Sequence, residues 1–221
     1  MSPPFDLGLY LVTDRDLCAA FGIERVVAEA VAGGATMVQL RDDTTPTAEL
    51  IEVARGLMAL LAPLDVPLIV NNRLEVALAA RATGLHVGQS DLPAAAARTA
   101  LGPDAILGLS ITATSQLAAV DPGRVDYLGV GPIFATATKS DAAPPMGLAG
   151  LAACRAGVAL PIVAIGGIDG SNAAAVIGAG ADGIAVVSAV CAAVSPRSAA
   201  ELLARHVARA RNAHRHGEQA E

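Results

Sequence analysis

Residues 126–141 read DYLGVGPIFATATKSD, and the rest of the chain can be read outward from them. Asp126–Gly131 is an apolar run of the kind that forms a buried strand. Gly131-Pro132 ends it, and a loop follows that carries Thr136, Thr138 and Lys139 within four residues. Two hydroxyls that donate hydrogen bonds, beside one ammonium point charge, suit a phosphate leaving the end of a strand. The same residues also suit a solvated polar loop. The flanking sequence bears on which of the two holds.

On both sides, strand-like and helix-like segments alternate without a break. Leu7–Thr13 reads as a first strand, Ile23–Ala32 as a helix closed by Gly33-Gly34, and Thr36–Leu40 as a second strand. A helix is expected over Pro46–Leu61, with Thr45 or Thr47 available as its cap. Pro67–Val70, Gly84–Val87 and Ala105–Leu109 read as strands three to five. Helices are expected over Leu74–Arg81, over Pro93–Leu101 with Asp91 as cap, and from about Ser115. Asp126–Val130, Pro161–Ile165 and Asp182–Val187 complete the strands; the remaining helices are Leu148–Ala156, Ser171–Ala179 and Arg197–Arg209. Eight βα units in about 200 residues predict an α/β fold, a single (β/α)8 TIM barrel over residues 1–210. A doubly wound sheet is the other option, but the GxGxxG turn expected after its first strand is missing. Residues 211–221 lose apolar periodicity and read as a flexible C-terminal tail, with His214 and His216 as tail residues rather than metal ligands.

Composition agrees with one buried α/β core. Of 221 residues, 53% are hydrophobic and only 2% aromatic, so small aliphatic side chains must fill strands covered on both faces. The net charge of −6 argues against nucleic acid as a partner. Cys18, Cys154 and Cys191 are odd in number and widely spaced, which suggests neither disulfides nor zinc and fits a cytoplasmic protein. No signal-like segment or membrane span is read.

In a TIM barrel, function sits at the C-terminal ends of the strands. Gln39 and Arg41 follow strand two and point the same way by strand alternation. Arg41 could grip a phosphate bidentately, or form a rim ion pair with Asp42 or Asp43. Asn71, Asn72 and Arg73 follow strand three. His86, Gln89 and Asp91 follow strand four, where the histidine reads as a satisfied core residue and Asp91 as either a cap or a metal ligand. Ser110 follows strand five, as a polar plug or a cap. Gly166-Gly167 and Val187-Ser188 follow strands seven and eight, where exposed backbone N–H groups commonly bind phosphate in barrels.

Taken together, the chain resembles the thiamine-phosphate synthase family. The resemblance rests on YLVTD at 10–14, QLRD at 39–42, HVGQSDLP at 86–93, LGLS at 107–110 and DYLGVGPIFATATK at 126–139. PPMGL at 144–148, AIGGI at 164–168 and GADGIAVVSAV at 180–190 extend it over most of the chain. It implies a transferase that joins hydroxymethylpyrimidine pyrophosphate and thiazole phosphate, through a pyrimidine methylene cation, with Mg²⁺ holding the departing pyrophosphate. By position, Gln39, Arg41, Asn71, Ser110 and Lys139 match the pyrophosphate contacts, with Lys139, Arg41 and Ser110 as the catalytic set. Thr136, Thr138, Gly167, Val187 and Ser188 match the thiazole-phosphate end. Asp91 and Asn72 match the metal ligands.

Two positions depart from the family pattern. Asp43 stands where that pattern has lysine, and Asn72 where it has the second aspartate. Lysine plus aspartate sum to zero, whereas Asp43 plus Asn72 sum to −1, at a place that must accept a polyanion. Two other readings compete: a thiazole tautomerase-like barrel, and a catalytically weakened barrel that binds phosphate ligands. The tautomerase pattern has histidine two residues after the strand-five serine, where this chain has Thr112. Oligomeric state is left open, with a homo-oligomer among the options.

Overall fold

The computed structural model describes residues 5–138 and 142–217. Lys139 and the side chains beyond residue 213 lie outside the described residues, and with them the readings given above for Lys139, His214 and His216. Eight parallel strands close into a barrel in chain order. They are β1 Leu9–Val12, β2 Met37–Leu40, β3 Leu68–Asn71, β4 Gly84–Val87, β5 Ile106–Ile111, β6 Tyr127–Val130, β7 Ile162–Ile165 and β8 Gly183–Val186. β8 pairs with β1 at Ile184–Leu9, Ala185–Tyr10 and Val186–Leu11, so no sheet edge is left unpaired.

The helices are α1 Arg15–Cys18, α2 Ile23–Ala32, α3 Thr47–Leu61, α4 Leu74–Ala80 and α5 Ala94–Leu101. They continue as α6 Gly147–Gly157, α7 Ala173–Gly178, α8 Ser188–Cys191 and α9 Pro196–Gly217. In α3, Leu50, Ala54, Leu57 and Leu61 recur at helical spacing and are all buried, which lays the helix on the strands. α9 packs against α2 and α7 and completes the outer ring. Cys18, Cys154 and Cys191 are buried free thiols. Among the described residues, no helix is long and apolar enough to cross a membrane.

Three local expectations need correction. The segment after β5 is a short 3₁₀ turn, Thr114–Ala119, and not an α-helix. Gln116 Oε1 accepts the Thr112 and Ala113 backbone N–H groups and tightens its start, and Val120 is already extended. Neither Thr45 nor Thr47 caps α3, nor does Asp91 cap α5; both helices begin behind prolines, Pro46 and Pro93, without a side-chain cap. Thr45 instead donates to Asp42 at 2.7 Å and accepts from Arg15 at 2.8 Å. Finally, α9 runs to Gly217, past the expected end at Arg209 and into the segment read as a tail. Arg211 provides the reason: it donates to the Asp182 carbonyl at 2.7 Å and to Asp6 at 2.8 Å, tying the helix to the base of the barrel.

The β8–β1 seam depends on a missing side chain. A Cβ on Gly183 would lie 1.7 Å from the Leu7 carbonyl oxygen. That neighbour is backbone, so the strands themselves would have to part. Gly183→Ala should therefore lower the unfolding free energy by about 3 kcal/mol, the upper range for overpacking. Gly178, in α7, has nothing within 4 Å of such a Cβ. Gly178→Ala should be neutral or stabilising by about 0.5–1 kcal/mol. Urea unfolding of the two variants tests the contrast.

Candidate active site

A cavity of about 990 Å³ opens at the C-terminal ends of the strands. Alternation along each strand turns every other residue inward, toward its floor and wall. Gln39 and Arg41 reach it from the end of β2, Asn71 and Asn72 from β3, and Ser110 from β5. Asp91 lines it from the loop after β4, Thr136 and Thr138 from the loop after β6. Gly167 faces it after β7, and Val187 and Ser188 after β8. Every described residue matched above to a catalytic, substrate or metal role thus lines this one cavity. Arg73 does not: it turns outward to the Thr45 carbonyl at 2.6 Å and to Thr47, and braces the loop before α3.

Arg41 forms no rim pair with Asp42 or Asp43. Its Nη2 donates to Asp14 Oδ2 at 3.1 Å and to the Thr138 carbonyl at 2.9 Å. One guanidinium thereby ties together the loops after β1, β2 and β6. Asp42 is occupied elsewhere, accepting from the backbone N–H and hydroxyl of both Thr44 and Thr45. Burial opposes ionisation of Asp42, but these hydrogen bonds outweigh it and hold its carboxyl below the usual range.

The loop after β6 is seated by main-chain bonds. Ile133 N–H donates to the Ile165 carbonyl at 2.9 Å, and Phe134 N–H to the Gly166 carbonyl at 3.0 Å. Gly166 and Gly167 have φ of 104° and 62°, and a Cβ on either would meet this loop at 2.5 Å. The glycine pair therefore lets the Thr136–Thr138 segment lie beside the β7 turn. There the two hydroxyls hydrogen-bond each other at 2.7 Å.

At the opposite wall, Asn72 sits at φ 46°, a left-handed conformation that asparagine tolerates. Its Nδ2 donates to Asp43 Oδ1 at 3.4 Å, while its Oδ1 is buried with no partner. Asp43 and Asp91 line the same cavity, and Asp91 Oδ2 accepts from the Gly88 N–H at 2.7 Å. Among the described residues, no three His, Cys, Asp or Glu side chains group to hold a metal by themselves. An orphaned oxygen on an amide in contact with one carboxylate, with a second lining the same cavity, could help hold an oxygen-seeking divalent cation, which commonly takes one or two carboxylates plus substrate phosphates.

The cavity floor is polar and buried. His86, on β4, hydrogen-bonds Tyr127 at 3.0 Å through Nδ1 and Ser110 at 2.8 Å through Nε2. Tyr127 and Tyr10 share a hydrogen bond of 2.9 Å, and Gln39 Nε2 donates to Tyr10 at 2.9 Å. His86 is thus the satisfied core histidine that its strand position suggested. The two tyrosines were not singled out in the sequence. The available signal was that they are the chain's only two, both on inward strand positions.

A model of the thiamine monophosphate synthase family matches residues 9–190. The chain belongs to the thiamine monophosphate synthase family. It is similar to the thiamine-phosphate synthase of Azorhizobium caulinodans, 54% identical over 203 residues that cover 92% of this chain and 96% of that protein. The thiamine-phosphate synthase of Xanthobacter autotrophicus is also 54% identical, over 96% of this chain and all of its own length. Among solved structures, thiamine phosphate pyrophosphorylase from Pyrococcus furiosus superposes with a TM-score of 0.84 at 37% identity, covering 92% of this chain and 96% of that one. Membership makes the chain an enzyme, a transferase of thiamine biosynthesis that uses phosphorylated small molecules. Within this family frame Thr112, at the position where a tautomerase has histidine, is engaged with Gln116 at 3.1 Å.

Burial pulls the His86 imidazole down to about 4, against a smaller opposing pull from the Asp91 charge. The unfolded chain takes up that proton near pH 6.5. The native state therefore binds fewer protons between these values, so stability from the neutral imidazole is present above about pH 6.5 and lost as pH falls toward 4. Between pH 7.5 and 4.5 this one group should cost about 2–3 kcal/mol. The acid loss of stability should be smaller by that amount in His86→Gln, as measured by urea unfolding at both pH values.

Proposed function

We propose that this enzyme joins hydroxymethylpyrimidine pyrophosphate to thiazole phosphate, giving thiamine phosphate and pyrophosphate. The observation that carries the reading is the convergence of groups able to hold anions on one cavity. Gln39, Arg41, Asn71 and Ser110 line it, with Asp43, Asn72 and Asp91. The paired Thr136 and Thr138 hydroxyls and Gly167, Val187 and Ser188 line it too, and Arg41 reaches the Thr138 carbonyl at 2.9 Å. Two phosphorylated substrates sharing this cavity would have their reacting atoms brought together.

The C–O bond from the pyrimidine methylene to pyrophosphate breaks first, its electron pair leaving with the pyrophosphate. The thiazole nitrogen then donates its lone pair to the resulting cation and forms the new C–N bond. No proton must be abstracted from a nucleophile, so the reaction asks no serine or cysteine to act as one. The protein's work is positioning and charge stabilisation. Arg41, Ser110 and Lys139 supply donors to the departing pyrophosphate. Asp91 and Asn72 would hold Mg²⁺, with Asp43 beside them. When bound, the ion offsets the negative charge that grows on the leaving group.

The direct test is to incubate the purified protein with both substrates and Mg²⁺ and look for thiamine phosphate by mass. No product from folded protein would overturn the reading. Lys139→Ala should lower kcat on the order of 100-fold, as loss of one strong electrostatic donor does. An unchanged kcat would put the pyrophosphate elsewhere.

The Asn72 departure gives a second check. A neutral amide oxygen is a weaker ligand than a carboxylate. Asn72→Asp should lower the Mg²⁺ concentration for half-maximal turnover, and should tighten Mn²⁺ binding measured without substrate. If both are unchanged or worse, Asp43 already supplies the second carboxylate.

A further inference from the structure

We infer that Tyr10, Tyr127 and His86 form a one-way hydrogen-bond relay that couples the amide of Gln39 to the hydroxyl of Ser110 and holds Ser110 as a donor toward the cavity. These three are positioning residues. The functional part of the inference rests on the reading of Ser110 as a pyrophosphate contact.

Counting protons along the chain of hydrogen bonds fixes its direction. Gln39 Nε2 can only donate, and it donates to the Tyr10 hydroxyl. Tyr10 has one proton, and its remaining neighbour in the relay is the Tyr127 oxygen, 2.9 Å away. Tyr127 then has one proton for His86 Nδ1 at 3.0 Å, so Nδ1 must be bare. A neutral imidazole with a bare Nδ1 carries its proton on Nε2, which donates to Ser110 Oγ at 2.8 Å. The serine proton is left over, and Ser110 lines the cavity. A charged imidazole would spoil the chain, because Tyr127 would accept from both sides and its own proton would be buried unused. An unused buried donor is costly.

Only one other arrangement uses every proton, and it is the whole chain reversed. Gln39 would turn its carbonyl oxygen to Tyr10, and Ser110 would spend its proton on His86. The ends therefore cannot choose independently. An anion at Ser110 favours the forward direction, since the reverse would turn an oxygen lone pair toward negative charge.

The barrel leaves room for this chain and little else. Gly108 is in register with both His86 and Tyr127, and Gly129 with Ser110. A Cβ at position 108 would lie 2.2 Å from the Tyr127 ring and 2.4 Å from His86 Nδ1. One at position 129 would lie 2.9 Å from His86 Cε1. Two strands thus carry no side chain where the rings pass.

The test is ¹⁵N NMR of histidine-labelled protein at neutral pH, without substrates. In the wild type, His86 Nδ1 should give the shift of an unprotonated ring nitrogen and Nε2 that of a protonated one. Gln39→Glu replaces the terminal donor with an acceptor, and should move the proton to Nδ1. In Tyr10→Phe/Gln39→Glu the link is cut and Tyr127 can give its proton only to His86, so the proton should return to Nε2. Inorganic pyrophosphate should bind Gln39→Glu more weakly, and the added Tyr10→Phe should recover roughly tenfold in affinity, the worth of one hydrogen bond to a charged group. A wild-type spectrum with Nδ1 protonated, or a tautomer that does not respond in folded Gln39→Glu, overturns the relay. If Gln39→Glu does not fold, the wild-type spectrum still decides through the Nδ1 state. A relay that behaves as described in a protein forming no thiamine phosphate would remove the substrate assignment and leave the relay.

Discussion

A closed ring of parallel strands leaves each strand's main chain paired on both sides, and the molecule is arranged around that requirement. The ring closes only if β8 can lie against β1, and Gly183 permits the approach by carrying no side chain toward the Leu7 carbonyl. Once the ring is closed, inward side chains share one narrow axis and outward ones are covered by helices. Polar groups can then be accommodated in two ways. At the mouth they meet ligand and water, and below it they must satisfy one another.

The floor takes the second course. Gln39, Tyr10, Tyr127, His86 and Ser110 satisfy each other in sequence, in a chain almost without aromatic residues. Such a network is stable only if every member has its partner. Burial then acts on all of them in the same sense, pushing the Tyr10 and Tyr127 phenols up and the His86 imidazole down, away from their charged forms. These floor groups are thus held neutral, while charge stands at the mouth, where Arg41 faces Asp14 and where Asp43 meets Asn72 and Asp91 lines the cavity.

Much of this was legible in the chain. Apolar runs punctuated by glycine and proline located all eight strands, and Arg41, Asn72, Ser110 and Ser188, just past four of those runs, lie on the cavity. What escaped the reading was whatever depends on contacts between distant segments. Arg41 had acidic neighbours at 42 and 43, yet it pairs with Asp14, which only the adjacency of β1 and β2 brings near. Thr45 reads as a cap by its position, but the nearer Asp42 carboxylate captures its hydroxyl. The last helix outruns its apolar period because Arg211 finds a backbone carbonyl at Asp182, just before β8. The Tyr10–Tyr127 bond joins residues more than half the chain apart, beyond the reach of local periodicity.

The loop after β6 carries a broader consequence. Its root is held by Ile133 and Phe134 N–H groups on the Ile165 and Gly166 carbonyls, and by Met146 and Gly147 N–H groups on the Pro132 and Ile133 carbonyls. These anchors are main-chain bonds that need glycine at the β7 turn but ask nothing of the side chains between Ala135 and Thr138. Residues farther along the loop can therefore be exchanged over evolutionary time without loosening its attachment. A lineage could change which anion the loop recognises while inheriting the same frame, so chemical novelty and architectural continuity need not compete.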